Sequence, residues 1–157
     1  MKKIDALLDE YGESHQNKTN KLIHWICVPL IYFSIVGLVR AIPFDLLSNF
    51  SIDKNYLNWA SISIVLVMIY YLTMSFQLTI GMSLFSILCL FICNKIILLQ
   101  LSILWISVIV FIVAWIFQFI GHNIEGKKPS FLRDLQFLLI GPAWLMHFIY
   151  KKLNIKY

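Results

Sequence analysis

Between Asn55 and Asn94 the chain runs for forty residues without one charged side chain. A backbone in hydrocarbon must satisfy its polar groups within the segment, so a run of this kind becomes helix and not open sheet or coil. About 20 apolar residues cross a bilayer core of roughly 30 Å, so the run holds two crossings. The polar patch Thr73, Ser75, Gln77, Thr79 and Gly81 is the expected break and makes a tight helical hairpin. Only 13% of the 157 residues are charged, against about 25% in a soluble domain. A chain this short and this poor in charge cannot cover a soluble surface, which makes it one integral membrane domain over residues 1–157.

The same reasoning extends to the flanks. Leu22 to Val39 is a span closed by Arg40, with His24 about one turn inside, Trp25 as an interfacial anchor and Pro29 as a kink. Pro43 starts a short interfacial turn or helix using Phe44, Leu47 and Phe50. Lys95 marks another turn, and the 25 residues from Ile96 to Ile120 are long enough to cross with tilt. The expected spans are therefore four: 22–40, 57–76, 79–94 and 96–120. The fold class is all-α, a polytopic membrane helical bundle.

Both ends of the chain differ from these spans. Ile4, Leu7, Leu8 and Tyr11 recur at helical spacing, which predicts a short amphipathic helix over residues 3–12. It is expected to lie on the membrane surface and to end at Gly12. With four lysines and four acids in the first 21 residues, it is not a signal peptide. Thr19 or Asn20 is the expected N-cap of the first span. Phe131 to Tyr150 has the length of a fifth span, but Arg133 and Asp134 stand near its start and Gly141-Pro142 interrupts its middle. The expectation is a Gly-Pro-broken segment, kinked or re-entrant at the interface.

The net charge of +5 sits in short flanks and forms no stripe of the kind nucleic acid needs. Cys27, Cys89 and Cys93 all lie in apolar runs and read as reduced packing residues.

Chemistry enters where the last long apolar run ends, at Gly121-His122-Asn123-Ile124-Glu125. Ionisable groups at the lip of a membrane helix mark a functional site by default. With four spans, the start of the first and the end of the fourth share one side. His15 and His24 lie at that start and His122 and Glu125 at that end, with His147 joining them if the C-terminal segment does not cross. Lys18, Lys21, Lys127, Lys128 and Arg133 flank the same side, against Arg40, Lys54 and Lys95 opposite. The positive-inside rule makes the histidine side, and both termini, cytoplasmic. An Ile-, Lys- and Asn-rich chain without a Lys-Asp-Glu-Leu signal suits a bacterial inner membrane better than the endoplasmic reticulum.

Imidazole is the commonest metal-binding side chain, and coordination offsets the cost of several imidazoles at membrane depth. His122 and Glu125 are three apart and share a helix face, with Gln118 one turn earlier to orient His122. Four histidines without H-x-x-x-H boxes hold one metal at most. Iron suits such a set with open positions, and zinc is possible by ligand type. No nucleophile with a base partner and no phosphate loop is evident.

Tyr11, His15, Asn20, His24 and Pro29, followed much later by Gln118-Phe119-Ile120-Gly121-His122, Glu125, Pro129 and Gly141-Pro142, form an ordered pattern. It resembles the small membrane family typified by the yeast endoplasmic-reticulum 2-hydroxy fatty acid dioxygenase. The resemblance runs from Tyr11 to His147, with the middle spans matching only in hydrophobicity. It implies an Fe(II)-dependent alpha-oxidation in which a 2-hydroxy fatty acid and O₂ give the acid one carbon shorter and CO₂. It also implies that His15, His24 and His122 are metal ligands, with Asn20 and Glu125 read as catalytic. Glu125 stands one residue nearer the histidine than the family's acid, and His147 stands near the place of a C-terminal acid, which reads either as one ligand exchanged for another or as a bacterial branch with a different substrate. Two other classes stay open, a non-enzymatic lipid-binding scaffold, metal carrier or transporter subunit, and a zinc-dependent lipid hydrolase. Transport would place ionisable groups near the bilayer midplane, where this chain has none.

Overall fold

The computed structural model describes residues 3–13, 15–44, 55–126 and 131–155, the last segment with its side chains from residue 138 onwards. Six helices account for the secondary structure of these residues, and no strand occurs among them: α1 Lys3–Glu13, α2 Lys18–Arg40, α3 Trp59–Leu72, α4 Phe76–Leu98, α5 Ile103–Glu125 and α6 Phe131–Lys152. α2, α4 and α5 are long and apolar enough to cross a membrane, and α3 is a shorter apolar helix. The chain is thus a helical membrane bundle.

Each long helix begins on a residue that can accept its first N–H groups. The Asn17 side chain accepts from Thr19 N and Asn20 N at 2.8 and 3.4 Å. Ser75 and Ser102 do the same for α4 and α5, and Asn58 and Ser61 close a reciprocal capping box at α3. In hydrocarbon, unsatisfied donors are costly enough that these caps decide where helices start.

α2 and α5 form the most extensive pair. They are antiparallel, because Gly121 meets Asn20 at one end while Gly37 meets Ser107 at the other. Ala114 packs with Cys27 and Ile31 between them. The buried small residues Ser107, Ala114 and Gly121 are seven apart and so share one face of α5. Such residues let helix backbones approach closely, which is what drives association where lipid is as apolar as leucine. The opposite face of α5, including Ile109, Ile112, Ile116 and Phe117, is exposed and suited to lipid tails.

Three tyrosine hydroxyls join the remaining helices. Tyr32 Oη pairs with Ser86 Oγ between α2 and α4 at 2.7 Å. Tyr71 Oη of α3 donates to the Leu139 carbonyl of α6 at 2.5 Å, and Tyr150 Oη of α6 donates to the Gln77 carbonyl of α4 at 2.6 Å.

Several expectations are corrected. α1 continues through Gly12 to Glu13, and its apolar stripe does not lie on lipid. Ile4, Leu8 and Tyr11 are buried with Ile140, Trp144 and Leu145 of α6, which supplies the apolar partner that a surface helix would seek in the bilayer. The cap of α2 is Asn17, not Thr19 or Asn20, because its side chain reaches both N–H groups of the first turn. Pro29 lies inside α2, within the expected span. α3 has only 14 residues, about 21 Å of helix against a core of roughly 30 Å. It still returns the chain from the Arg40–Asn94 end, where Asn55 meets Asn94, to the Trp144 end, where Met74 packs. The hairpin break is confined to residues 73–75, and Gln77, Thr79 and Gly81 lie inside α4.

Lys95 does not end α4. Its ammonium sits 5.4 Å from the Phe91 ring centroid, and one cation a turn from a helix end can reach the interface along its own stem. The turn comes at Leu99–Ser102, where Gln100 takes a left-handed conformation (φ 58°). α5 then runs five residues past Ile120, through His122 to Glu125. α6 is one continuous helix with Pro142 inside it, not two halves. Gly141 is a contact residue there, since a Cβ would lie 3.0 Å from Tyr11 Oη and 3.3 Å from Val28 Cγ1. Of the expected interfacial turn, Phe44 is buried edge-on to Trp59, while Leu47 and Phe50 lie outside the described residues, as do Lys54, Lys127 and Lys128. All three cysteines are buried thiols outside any disulfide.

The α2–α5 contact gives the first prediction. A Cβ at Gly37 would stand 2.1 Å from Ser107 Oγ. Gly37→Ala should therefore cost about 1–3 kcal/mol by overpacking, read as a fall in the thermal midpoint in detergent. Adding Ser107→Gly should recover much of the loss. A neutral Gly37→Ala would mean that the two helices do not cross there.

Candidate metal centre

Three histidines from three parts of the chain meet at one end of the α2–α5 pair. His15 follows α1, His24 lies in the second turn of α2 and His122 in the last turn of α5. One ring nitrogen from each lies within 4.8 Å of the others. The ring centroids of His15 and His24 are 4.1 Å apart, those of His24 and His122 5.0 Å, and those of His15 and His122 5.6 Å. His15 and His24 are only 2% and 1% exposed, and His122 is half-buried.

Local backbone chemistry orients two of the rings. His15 comes two residues after α1 ends, where the last carbonyls of the helix lack helical donors. Its Nδ1 lies 2.6 Å from the Tyr11 carbonyl. In α2, His24 Nδ1 lies 3.0 Å from the Asn20 carbonyl. A carbonyl only accepts, so both Nδ1 atoms carry the proton and each neutral ring presents its Nε2 lone pair. Burial pushes the His15 imidazole down to about 4, with the nearby His122 acting in the same direction against the Tyr11 carbonyl and Glu125. At neutral pH it is therefore an uncharged donor.

Aromatic side chains enclose this arrangement. The Tyr11 ring stacks on His15 with centroids 4.3 Å apart and planes 16° from parallel. Trp144 of α6 stands 5.4 Å from His15 and 5.3 Å from Tyr11. α1 therefore brings its own histidine and one wall of the site, and α6 the second wall.

The donor set fits a metal ion. Neutral imidazoles bind iron, zinc and copper, and ring nitrogens about 2.1 Å from one ion lie roughly 3–3.5 Å from each other. The three nitrogens, all within 4.8 Å of one another, stand within about 2 Å of that spacing. Three protein ligands also leave positions for substrate, the arrangement that separates a reactive centre from a closed structural one.

The other residues singled out in the sequence take different places. Glu125 accepts from Gln16 N at 2.9 Å and from Asn17 N at 2.9 and 3.2 Å. The Asn20 side-chain amide donates to it at 3.0 Å. Asn20 is fully buried against Gly121, where a Cβ would lie 2.4 Å from its Oδ1. Gln118 is buried one turn before His122. His147 is not brought into the group: its ring meets Phe148 edge-on, and burial lowers its pKa with Lys151, Asp9 and Asp5 as the charges acting on it. The last turns of α6 pack on both α1 and the start of α2, where Phe148 stands 6.1 Å from the Trp25 ring, and Trp144 is the side chain they send toward His15. Trp144 and the two orienting carbonyls were not anticipated. The only sequence signals for them are the i, i+4 spacing of Tyr11–His15 and Asn20–His24 and the place of Trp144 two residues after Gly141-Pro142.

A family model described as 2-hydroxy-palmitic acid dioxygenase Mpo1-like matches residues 1–153. Comparison with curated proteins and with solved structures gives no match.

The geometry separates the four histidines experimentally. His15→Ala, His24→Ala and His122→Ala should each lower the bound metal measured by elemental analysis of the detergent-purified protein. His147→Ala should leave it unchanged. A full metal complement in His24→Ala, or its loss in His147→Ala, would break the three-histidine assignment.

Proposed function

The chain belongs to the 2-hydroxy-palmitic acid dioxygenase Mpo1-like family, and from that premise we propose that it performs Fe(II)-dependent alpha-oxidation of 2-hydroxy fatty acids in a membrane. The observation that carries the reading is the meeting of His15, His24 and His122 at the end of an apolar bundle. In the overall reaction the C1–C2 bond breaks, C1 leaves as CO₂ and C2 becomes the carboxyl of the shortened acid. One O₂ takes the four electrons released and also gives one water, so the equation closes without another reductant.

Iron, when bound, supplies Lewis acidity and electron transfer to O₂. The protein's own residues do the rest. His15, His24 and His122 hold the ion, and the Tyr11 and Asn20 carbonyls keep two of the rings in the tautomer that presents Nε2. Tyr11 and Trp144 shield the His15 side from water. A 2-hydroxy acid offers a carboxylate and an adjacent hydroxyl at its polar end, while its alkyl chain matches the apolar surroundings. Lys21, whose charge is felt at His15, is placed to attract the carboxylate. The histidine end then faces the cytoplasm, with a bacterial inner membrane as the location.

A zinc hydrolase is the second reading, because three neutral imidazoles also suit zinc. Oxygen uptake distinguishes the two.

The substrate test follows from the paired oxygens. Fe(II)-loaded protein in detergent, under oxygen, is offered 2-hydroxypalmitate, 3-hydroxypalmitate and palmitate. Only the first should consume O₂ and yield a fifteen-carbon acid. A site built to engage a substrate hydroxyl rejects the analogue lacking it by about 10⁴-fold or more. Equal turnover of palmitate would point to a hydroxylase, and no uptake with any of the three would favour the zinc reading.

A further inference from the structure

Glu125 stands beside the three histidines, bonded to the residues that follow His15, and its surroundings say what it does. It is the last residue of α5, one turn beyond His122. Its carboxylate lies at the N-terminus of α2, where N–H groups point outward and the helix dipole favours negative charge. Four contacts from three donors reach it: Gln16 N, Asn17 N to both oxygens, and Asn20 Nδ2. All of them donate, so the acceptor capacity of the carboxylate is largely taken up by the protein itself.

Those donors are the immediate neighbours of the other two histidines. Gln16 and Asn17 directly follow His15. Asn20 gives its side-chain amide to Glu125 and its backbone carbonyl to His24 Nδ1. One carboxylate therefore links the α1–α2 loop, the first turn of α2 and the end of α5, which are the three segments that carry the three rings. Gly121 permits this, because any side chain there would displace Asn20.

We propose that Glu125, acting with Asn20, is a positioning residue that holds the three histidines together, and is neither a metal ligand nor an acid–base group. The inference rests on reading the histidines as a metal centre. It assigns the acid to the geometry of the site, with the ion left to the imidazoles.

Cobalt(II) is the probe, because its visible spectrum reports its ligands. Titrated into the metal-free full-length protein, it should bind Glu125→Ala and Glu125→Gln about 10–100-fold more weakly than the unaltered protein, the usual effect of losing a residue that orients ligands. At saturation the spectrum should be the same in all three. Glu125→Asp, which keeps the charge but withdraws it by one methylene, should fall between. A changed saturated spectrum would make Glu125 a ligand. Unchanged affinity with lost turnover would make it an acid–base group, and either result overturns the proposal.

A second measurement needs no metal. Spin labels at Glu13→Cys and Asn123→Cys, both exposed positions, report the distance between the end of α1, just before His15, and the end of α5. The native cysteines are buried and stay unlabelled. The distance distribution should broaden in Glu125→Ala, and an unchanged distribution would overturn the clamp. If the unaltered protein takes up no cobalt, the metal reading fails, while the spin-label distances still decide whether Glu125 joins the segments.

Discussion

The antiparallel contact of α2 and α5 is the constraint on which the rest of the molecule depends. In water, burying apolar surface would hold two such helices together. In lipid that drive is absent, and close packing must replace it. Ser107, Ala114 and Gly121 supply it by presenting almost no side chain to α2 every second turn. Gly37 reciprocates at the far end. Because the contact runs from Gly37–Ser107 to Asn20–Gly121, it fixes the relative height of the two helices. That height is what puts His122 beside His24, ninety-eight residues away in sequence.

The histidine end adds a second constraint, that of burying polar rings without leaving them charged or badly oriented. Burial of an imidazole is tolerable when the ring is neutral and its N–H is satisfied. For His15 and His24 a carbonyl four residues earlier meets that need. The solution is economical, because the same bond that satisfies the ring also selects the nitrogen that faces inward. α1 gains its purpose here. Its apolar face binds α6, its last carbonyls orient His15, and Tyr11 and Trp144 close around that ring. A segment that resembles a membrane-surface anchor is part of the site.

Much of this was legible in the sequence. The charge-free run Asn55–Asn94 dictated helices in a membrane, since no other backbone arrangement satisfies itself in hydrocarbon. The alternation of long apolar runs with polar breaks brought the start of α2 and the end of α5 to one side, and with them His15, His24, His122 and Glu125. The pattern Tyr11, His15, Asn20, His24 and Pro29, with Gly121-His122, carried the family resemblance. Helix ends were less legible: Lys95 and Gly141-Pro142 look like breaks, yet the helices pass through them. One cation near a helix end reaches the interface along its stem, and one missing N–H is a smaller loss than a second pair of helix ends.

The roles within the site belonged to the tertiary structure. In the sequence His147 and His15 look alike, and Glu125 reads as catalytic. Only the packing of α1 on α6 sets His147 among the charges of Asp5, Asp9 and Lys151 and outside the group formed by the other three. Only the register of α5 against α2 puts the Glu125 carboxylate on the N–H groups after His15. Composition and periodicity determine which segments enter the bilayer, because transfer free energy adds up residue by residue along the chain. Which side chains meet at the lip is decided by how closely two helix backbones can approach, and that depends on small residues on both helices at once.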